Sequence, residues 1–191
     1  MIALDQIRRG GLARAVATAA TASSAQPGID VVWNALASVP DPEVPVVSIV
    51  ELGVVRGVAW RGGRLRIALT PTYSGCPATA MIQTLIAEAL AAIGVNDAEV
   101  VIELSPPWTT DWIAPEARRN LANYGIAPPH LRGARIDVAG ISPLRRRAVV
   151  VPCPRCASRA TQLLSQFGST ACKAQYRCTE CLEPFDYFKP H

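Results

Sequence analysis

An α+β fold, a small sheet with helices packed on it and followed by a metal-held C-terminal module, is what this sequence predicts, on three observations. β-rich runs alternate with amphipathic helical stretches between residues 29 and 125. Residues 126–148 hold three prolines and an arginine run, which break that pattern and read as a linker. Two Cys-x2-Cys pairs then crowd the last forty residues, a stretch too short to bury a large core of its own.

The elements follow in order. Ile29, Val32, Trp33 and Leu36 lie at helical spacing, with Asp30 near the start as a cap. Pro40 and the following Asp41-Pro-Glu-Val-Pro forbid continuation of that helix. Val46–Val50 and Val54–Trp60 read as strands, and the second pairs through Arg61-Gly62-Gly63 with Leu65–Thr70 as a hairpin. Pro77 suits the first position of a second helix. Its stripe of Met81, Ile82, Leu85, Ile86, Ala89, Leu90 and Ile93 ends at Gly94. Glu99–Leu104 is a further strand, and a third helix lies between Pro115 and Gly125. Strand-like Ala148–Val151 opens the terminal module, which occupies 149–191.

Composition limits the functions available. No apolar run reaches the ~18–20 residues that span a bilayer, so no membrane partner is expected. Residues 1–28 are rich in Ala, Ser and Thr and lack an uninterrupted apolar signal core, and are expected to be a disordered extension. The reducing cytoplasm is the expected compartment, where six cysteines serve as ligands or thiols rather than disulfides. Residues 1–130 carry 9 Lys/Arg against 11 Asp/Glu, whereas 131–191 carry 10 against 4. The basic character therefore belongs to the C-terminal third. Its run Arg145-Arg146-Arg147 is shorter than a nucleic-acid patch, and nucleic acid is not the expected partner.

Cys153, Cys156, Cys178 and Cys181 form the strongest pattern. Twenty-one residues separate the pairs, close to the spacing of zinc sites. Each pair forms a knuckle that grips one side of a tetrahedral ion, and two knuckles close the shell. Structural zinc contributes ~10–16 kcal/mol of apparent folding free energy. One structural zinc is the expected cofactor of this zinc-ribbon module, with iron in the same tetrahedral sulfur site as the alternative. Cys172 lies outside both knuckles, and an inert core thiol is its first reading.

Cys76 directly precedes Pro77, so the helix dipole and free N–H groups there favour its thiolate. A functional thiol and a buried capping thiol stay open as equal readings. Ile82 stands six positions after Cys76 where a Cys-dependent phosphatase needs Arg, and only His130 and His191 are available to a Cys–His hydrolase. Asp41 and Glu43 bring carboxylates to the same site if the loops converge, but on the residues alone an ordinary Asp-Pro turn is the first reading. Trp108 and Trp112 are core residues or a partner surface. The chain lacks a Glu-x-x-His pair for a di-iron bundle and a Gly-rich dinucleotide loop, so it is not expected to be the catalyst of an oxygenation.

Several separated motifs carry a resemblance. Asp41-Pro-Glu-Val-Pro45, Ser48-Ile-Val-Glu-Leu-Gly-Val-Val55 and Thr70-Pro-Thr-Tyr-Ser-Gly-Cys-Pro77 resemble the small domain of SufT-like iron–sulfur assembly proteins. With Ser105–Trp112, Tyr124–Pro129, Phe167–Lys173 and Glu183–Phe188, the chain from about 30 to 189 resembles the D subunit of the phenylacetyl-CoA epoxidase system, the PaaD or PaaJ type. Glu51 departs from the pattern, where Asp is expected before Leu-Gly. The resemblance implies a SufT-like domain over 29–125 and the ribbon behind the linker. It makes Cys76 the candidate iron- or cluster-handling thiol, supported by Asp41, Glu43 and Thr72, and adds Cys172 as a second candidate. It further implies a non-enzymatic maturation factor in aerobic phenylacetate degradation, handling transient iron or an iron–sulfur cluster. The implied client is a protein of the same system, its iron–sulfur reductase. A structural docking component is the alternative, and a homo-oligomer is compatible with either.

Overall fold

The computed structural model describes residues 26–130 and 150–191. The expected disorder of the extension up to residue 25, the arginine run and linker residues 131–148 lie outside the described residues. Helix α1, Ile29–Ala37, buries Val32 and Leu36 one turn apart. Its N-cap is Gly28 rather than Asp30, whose carboxylate sits in the first turn and complements the helix dipole from there.

The expected strand at 46–50 is not formed. One bridge joins Pro40 to Ser48, and the rest of the segment turns back on itself. Ser48 and Glu51 explain this. The Ser48 N–H donates to Glu51 Oε2 at 2.8 Å and the Glu51 N–H donates to Ser48 Oγ at 3.1 Å, a reciprocal capping box. Leu52 N–H donates to the Ser48 carbonyl, continuing the turn. Apolar side chains of this segment and its flanks are nevertheless inside. Val44, Val47, Ile49 and Leu52 are all buried, so this loop plugs the core from within.

Strand β1, Val55–Arg61, pairs antiparallel with β2, Arg64–Leu69, as expected. Gly62 and Gly63 both take positive φ, +56° and +87°, the pattern of a two-residue hairpin turn whose twist matches the strands. Helix α2, Ala78–Ala92, crosses back over the sheet and delivers β3, Ala98–Ile102, parallel to β2, for a sheet order β1-β2-β3. The buried face of α2 is narrower than its hydrophobicity suggested. Ile82, Ile86 and Leu90 are buried, but Met81 is 53% exposed. Gly94 follows at φ +82°.

A 3-10 turn at Thr110–Trp112 leads to α3, Pro115–Tyr124, closed by Gly125 at φ +100°. Trp108 is a core residue, its indole N–H donating to the Leu52 carbonyl at 3.0 Å. Trp112 is half-buried with the Arg56 guanidinium 3.6 Å over its ring. Gly53, at φ +69°, lies so close to Trp112 that a Cβ there would meet the Trp112 Cβ at 2.6 Å.

The second sheet has the order β4-β7-β6-β5. Its strands are β4 (Ile126–Ala127), β5 (Thr161–Ser165), β6 (Lys173–Cys178) and β7 (Pro184–Phe188). Ala148 and Val149 lie outside the described residues, and Val150–Val151 are not in a strand. Strand β4 comes straight off α3 and pairs parallel with β7, so the first module contributes an edge to the sheet of the second. The exchange runs both ways. Cys172 and Phe188 belong to the same buried cluster as α1, α2 and the first sheet, and the Phe188 ring lies 6.0 Å from that of Trp108. A separate cluster under the knuckles comprises Ala127, Val151, Cys153, Ala174, Tyr176, Cys178, Phe185 and Tyr187. Among the described residues, no helix is long and apolar enough to cross a membrane.

Candidate functional site

Two thiol sites stand at opposite ends of β6. At its C-terminal end the sulfurs of Cys153, Cys156, Cys178 and Cys181 all lie within 4.8 Å of one another. The cross-knuckle pairs Cys153–Cys181 and Cys156–Cys178 are 3.7 and 3.6 Å apart. A tetrahedron with metal–sulfur bonds of ~2.3 Å has edges of roughly 3.8 Å, so these sulfurs stand where a single zinc-sized ion needs them. Local backbone makes the cage. The Ala157 N–H donates to the Cys153 carbonyl and the Cys153 N–H to the Ser158 carbonyl, both at 2.9 Å, while the Arg155 N–H points at the Cys153 sulfur. Ala157 and Leu182, each directly after the second cysteine of its pair, both take positive φ, near +60°. That is uncommon for residues with side chains and marks a backbone bent to aim sulfurs.

The protonation pattern fits the same role. Backbone N–H groups, that of Cys181 first, pull the Cys178 thiol down to about 6. At Cys181 the Glu183 N–H also favours the thiolate, but desolvation and the three other sulfurs outweigh it and push the thiol up to about 12. A cation is what allows all four to be thiolates together.

The second site lies at the N-terminal end of β6, on the seam between the two sheets. One small cavity, about 20 Å³, is lined by Asp41, Glu43, Thr72, Cys76 and Cys172, with Phe188 among its apolar walls. All five residues singled out beyond the ribbon thus meet, from three loops and the start of a helix. Asp41 shapes the entry. Its Oδ1 accepts the N–H groups of Glu43 and Val44, both at 2.9 Å, so the Asp-Pro turn is real and at the same time puts Glu43 on the cavity. Cys172 Sγ lies 3.9 Å from Glu43 Oε2 and 3.0 Å from Thr170 Oγ1.

Cys76 behaves differently from expectation. The Ala78 N–H at the helix start and the Thr79 side chain do favour the thiolate, but burial outweighs them and the Glu43 and Asp41 carboxylates add to it, so the thiol is pushed up. Cys172 is pushed up as well, by burial first and against the hydrogen bond from Thr170. Burial likewise raises the Asp41 carboxyl despite its two N–H donors. The Tyr73 hydroxyl, hydrogen-bonded to Cys76, is pushed up to about 12 by desolvation and the nearby thiols. Sequence reasoning misses Tyr73 and Thr170, although each lies inside a motif that carries the resemblance. Phe188 offers no chemical signal at all. Neither His130 nor His191 lines this cavity.

Comparison with known proteins agrees with this division. Residues 29–102 match the model of the iron–sulfur cluster assembly protein family, and residues 140–189 match the PaaD zinc beta ribbon domain. The chain is 49% identical over 168 residues to the D subunit of the putative 1,2-phenylacetyl-CoA epoxidase of Escherichia coli K12, covering 88% of this chain and 96% of that protein. It is 42% identical over 82 residues to the Fe-S protein maturation auxiliary factor YitW of Bacillus subtilis 168, covering 42% of this chain and 79% of that one. A solved DUF59 domain from Bacillus anthracis is 32% identical, covering 48% of this chain and 89% of its own, with a TM-score of 0.44. Cys76 falls in the first matched segment and Cys172 in the second. The chain belongs to the PaaD family, the D subunits of phenylacetyl-CoA epoxidase, with an iron–sulfur assembly domain followed by a zinc ribbon.

Proposed function

We propose that this chain is a non-catalytic maturation factor of a phenylacetyl-CoA ring-epoxidase system in aerobic phenylacetate degradation, helping to assemble an iron–sulfur or iron centre in a client component. The observation that carries this reading is the convergence of Cys76, Cys172, Asp41, Glu43 and Thr72 on one cavity. Thiols and carboxylates together are iron donors, and a buried, protonated resting pair suits binding that is passing rather than permanent. The names of the relatives support both halves, one an epoxidase component and one a maturation factor.

Under this proposal Cys153, Cys156, Cys178 and Cys181 hold one structural zinc, and four thiolates leave that ion no open position. The zinc supplies folding free energy and a rigid edge, and the chemistry belongs to Cys76. The domains are an assembly unit over 29–125 and a ribbon over 149–191, joined by 126–148. The client is the iron–sulfur reductase of the same cytoplasmic system.

The test is the iron and sulfide content of that reductase, and its electron-transfer activity, when it is produced beside the wild-type chain or Cys76→Ala. The expected result is a reductase deficient in cluster in the variant. Full cluster occupancy with Cys76→Ala would remove the proposal.

A further inference from the structure

The seam cavity has the donor set of a cation site. Its lining offers two thiols, two carboxylates and two threonine hydroxyls, and contains no lysine or arginine. The ammonium of the adjoining Lys173 lies 3.7 Å from Asp186 Oδ2 and is engaged there. The volume decides what can enter. About 20 Å³ holds roughly one water-sized occupant, the size of a single ion.

The individual donors divide by role. Asp41 Oδ1 accepts two backbone N–H groups, which fixes the turn that carries Glu43. That turn presents Glu43, whose Oε2 is already 3.9 Å from the Cys172 sulfur. Cys76 approaches from the start of α2 and Cys172 from the residue before β6, so two folding modules each supply one sulfur. Thr170 Oγ1, 3.0 Å from Cys172 Sγ, fixes the second sulfur's orientation.

We propose that Cys76 Sγ, Cys172 Sγ and a Glu43 carboxylate oxygen bind one ferrous ion at this seam, leaving one tetrahedral position open for a client thiolate. The inference rests on the iron-handling function above and makes it specific: the cargo is a single ion, not a preformed cluster. Binding one divalent cation releases the two thiol protons and leaves the complex with one net negative charge. A mixed sulfur–oxygen set accepts ferrous iron, cobalt(II) and zinc. Among the described residues, only the ribbon cysteines form a group of three or more such ligand atoms all within 4.8 Å of one another. The seam set is therefore wider, and binding draws Cys76 and Glu43 inward by side-chain rotation. An open, adjustable site of three donors holds an ion less tightly than a closed one of four.

The experiment uses the full chain, anaerobic and with its ribbon filled with zinc, titrated with up to one equivalent of cobalt(II). The expected result is one bound cobalt with thiolate-to-cobalt charge-transfer absorption. That absorption is roughly halved in Cys76→Ser and in Cys172→Ser and lost in the double variant. Glu43→Gln keeps the absorption and weakens binding by about tenfold or more. One zinc per chain in every variant certifies the ribbon, and Cys172→Ala repeats the test if serine is not accepted at the buried position. Absence of cobalt binding, or binding indifferent to Cys172, would overturn the inference. Offering iron with sulfide to the same proteins separates the two claims. Cluster uptake that needs Cys76 without single-ion binding removes this inference and leaves the maturation role, whereas failure of both, with the reductase unaffected by Cys76→Ala, removes both.

Discussion

The two thiol sites sit at the ends of one strand, roughly 20 Å apart along β6, and they solve opposite problems. At the ribbon, four sulfurs of one module converge without a competing carboxylate, two buried and two exposed. At the seam, two sulfurs from two modules share a cavity with Asp41 and Glu43, and burial together with the carboxylate charge pushes their thiols toward protonation. Donor number and provenance separate a site that closes a fold from one that can change occupancy. Sulfurs set by their own knuckles need only an ion. Sulfurs set by two sheets also need those sheets to stay packed.

The largest way to break that contrast is to remove the ribbon metal. Chelation, or Cys178→Ser, is expected to melt β5–β7, because the metal supplies most of the ~10–16 kcal/mol that such small modules depend on. Circular dichroism should lose that strand signal while the α1, α2 and first-sheet core persists. Cys76 should then alkylate faster, since Cys172 and Phe188 no longer wall its cavity. An unchanged rate would show that the seam is independent of the ribbon.

Phe188→Ala cuts the seam without touching the metal. A buried Phe lost from such a core costs ~3–5 kcal/mol. Zinc content should stay at one per chain while Trp108 fluorescence shifts, because the two rings are in contact.

A smaller effect concerns reactivity. Burial, with the Glu43 and Asp41 carboxylates, pushes the Cys76 thiol above its ordinary range, so it rests protonated at neutral pH. Its rate with iodoacetamide should still be rising above pH 9, and Glu43→Gln should move the midpoint down. A plateau near pH 7 would contradict a buried thiol flanked by carboxylates.

The smallest is a stability slope. Asp41 is held above its unfolded value of 3.8, so the native state binds more protons just above that pH. Its contribution is therefore full below 3.8 and is lost as pH rises through the folded value, the reverse of a salt-bridged carboxylate. Asp41→Asn keeps an oxygen for the two N–H donors and should flatten that fall in urea titrations across mildly acidic pH.

Much of this is legible from residues. Gly62-Gly63 announces the hairpin, Pro115 and Gly125 bracket α3, and the cysteine spacing announces the ribbon. The strand expected at 46–50 fails because Ser48 and Glu51 form a capping box, a local signal that overrides β-branched composition. Met81 lies outside because a helix stripe read from hydrophobicity alone comes out wider than the face a three-stranded sheet covers. At the seam, the motifs name Cys76, Asp41, Glu43, Thr72 and Cys172 one by one. The resemblance groups the first four, but the arrival of Cys172 among them is not legible, since it is far away in sequence and joined only by tertiary packing. Two-residue β4 leaves no periodicity to detect.

That short strand bears on how the protein can be divided. Ile126 and Ala127 hydrogen-bond to β7, so the polypeptide crosses into the ribbon's sheet at the first residues of the segment expected to be a linker. A ribbon excised at residue 149 and grafted elsewhere would arrive one strand short, with the edge of β7 bare. An assembly unit trimmed at residue 125 would expose the Trp108 face that Phe188 covers. The halves match separate sequence families, yet in this chain they are spliced like interlocked fingers rather than strung like beads.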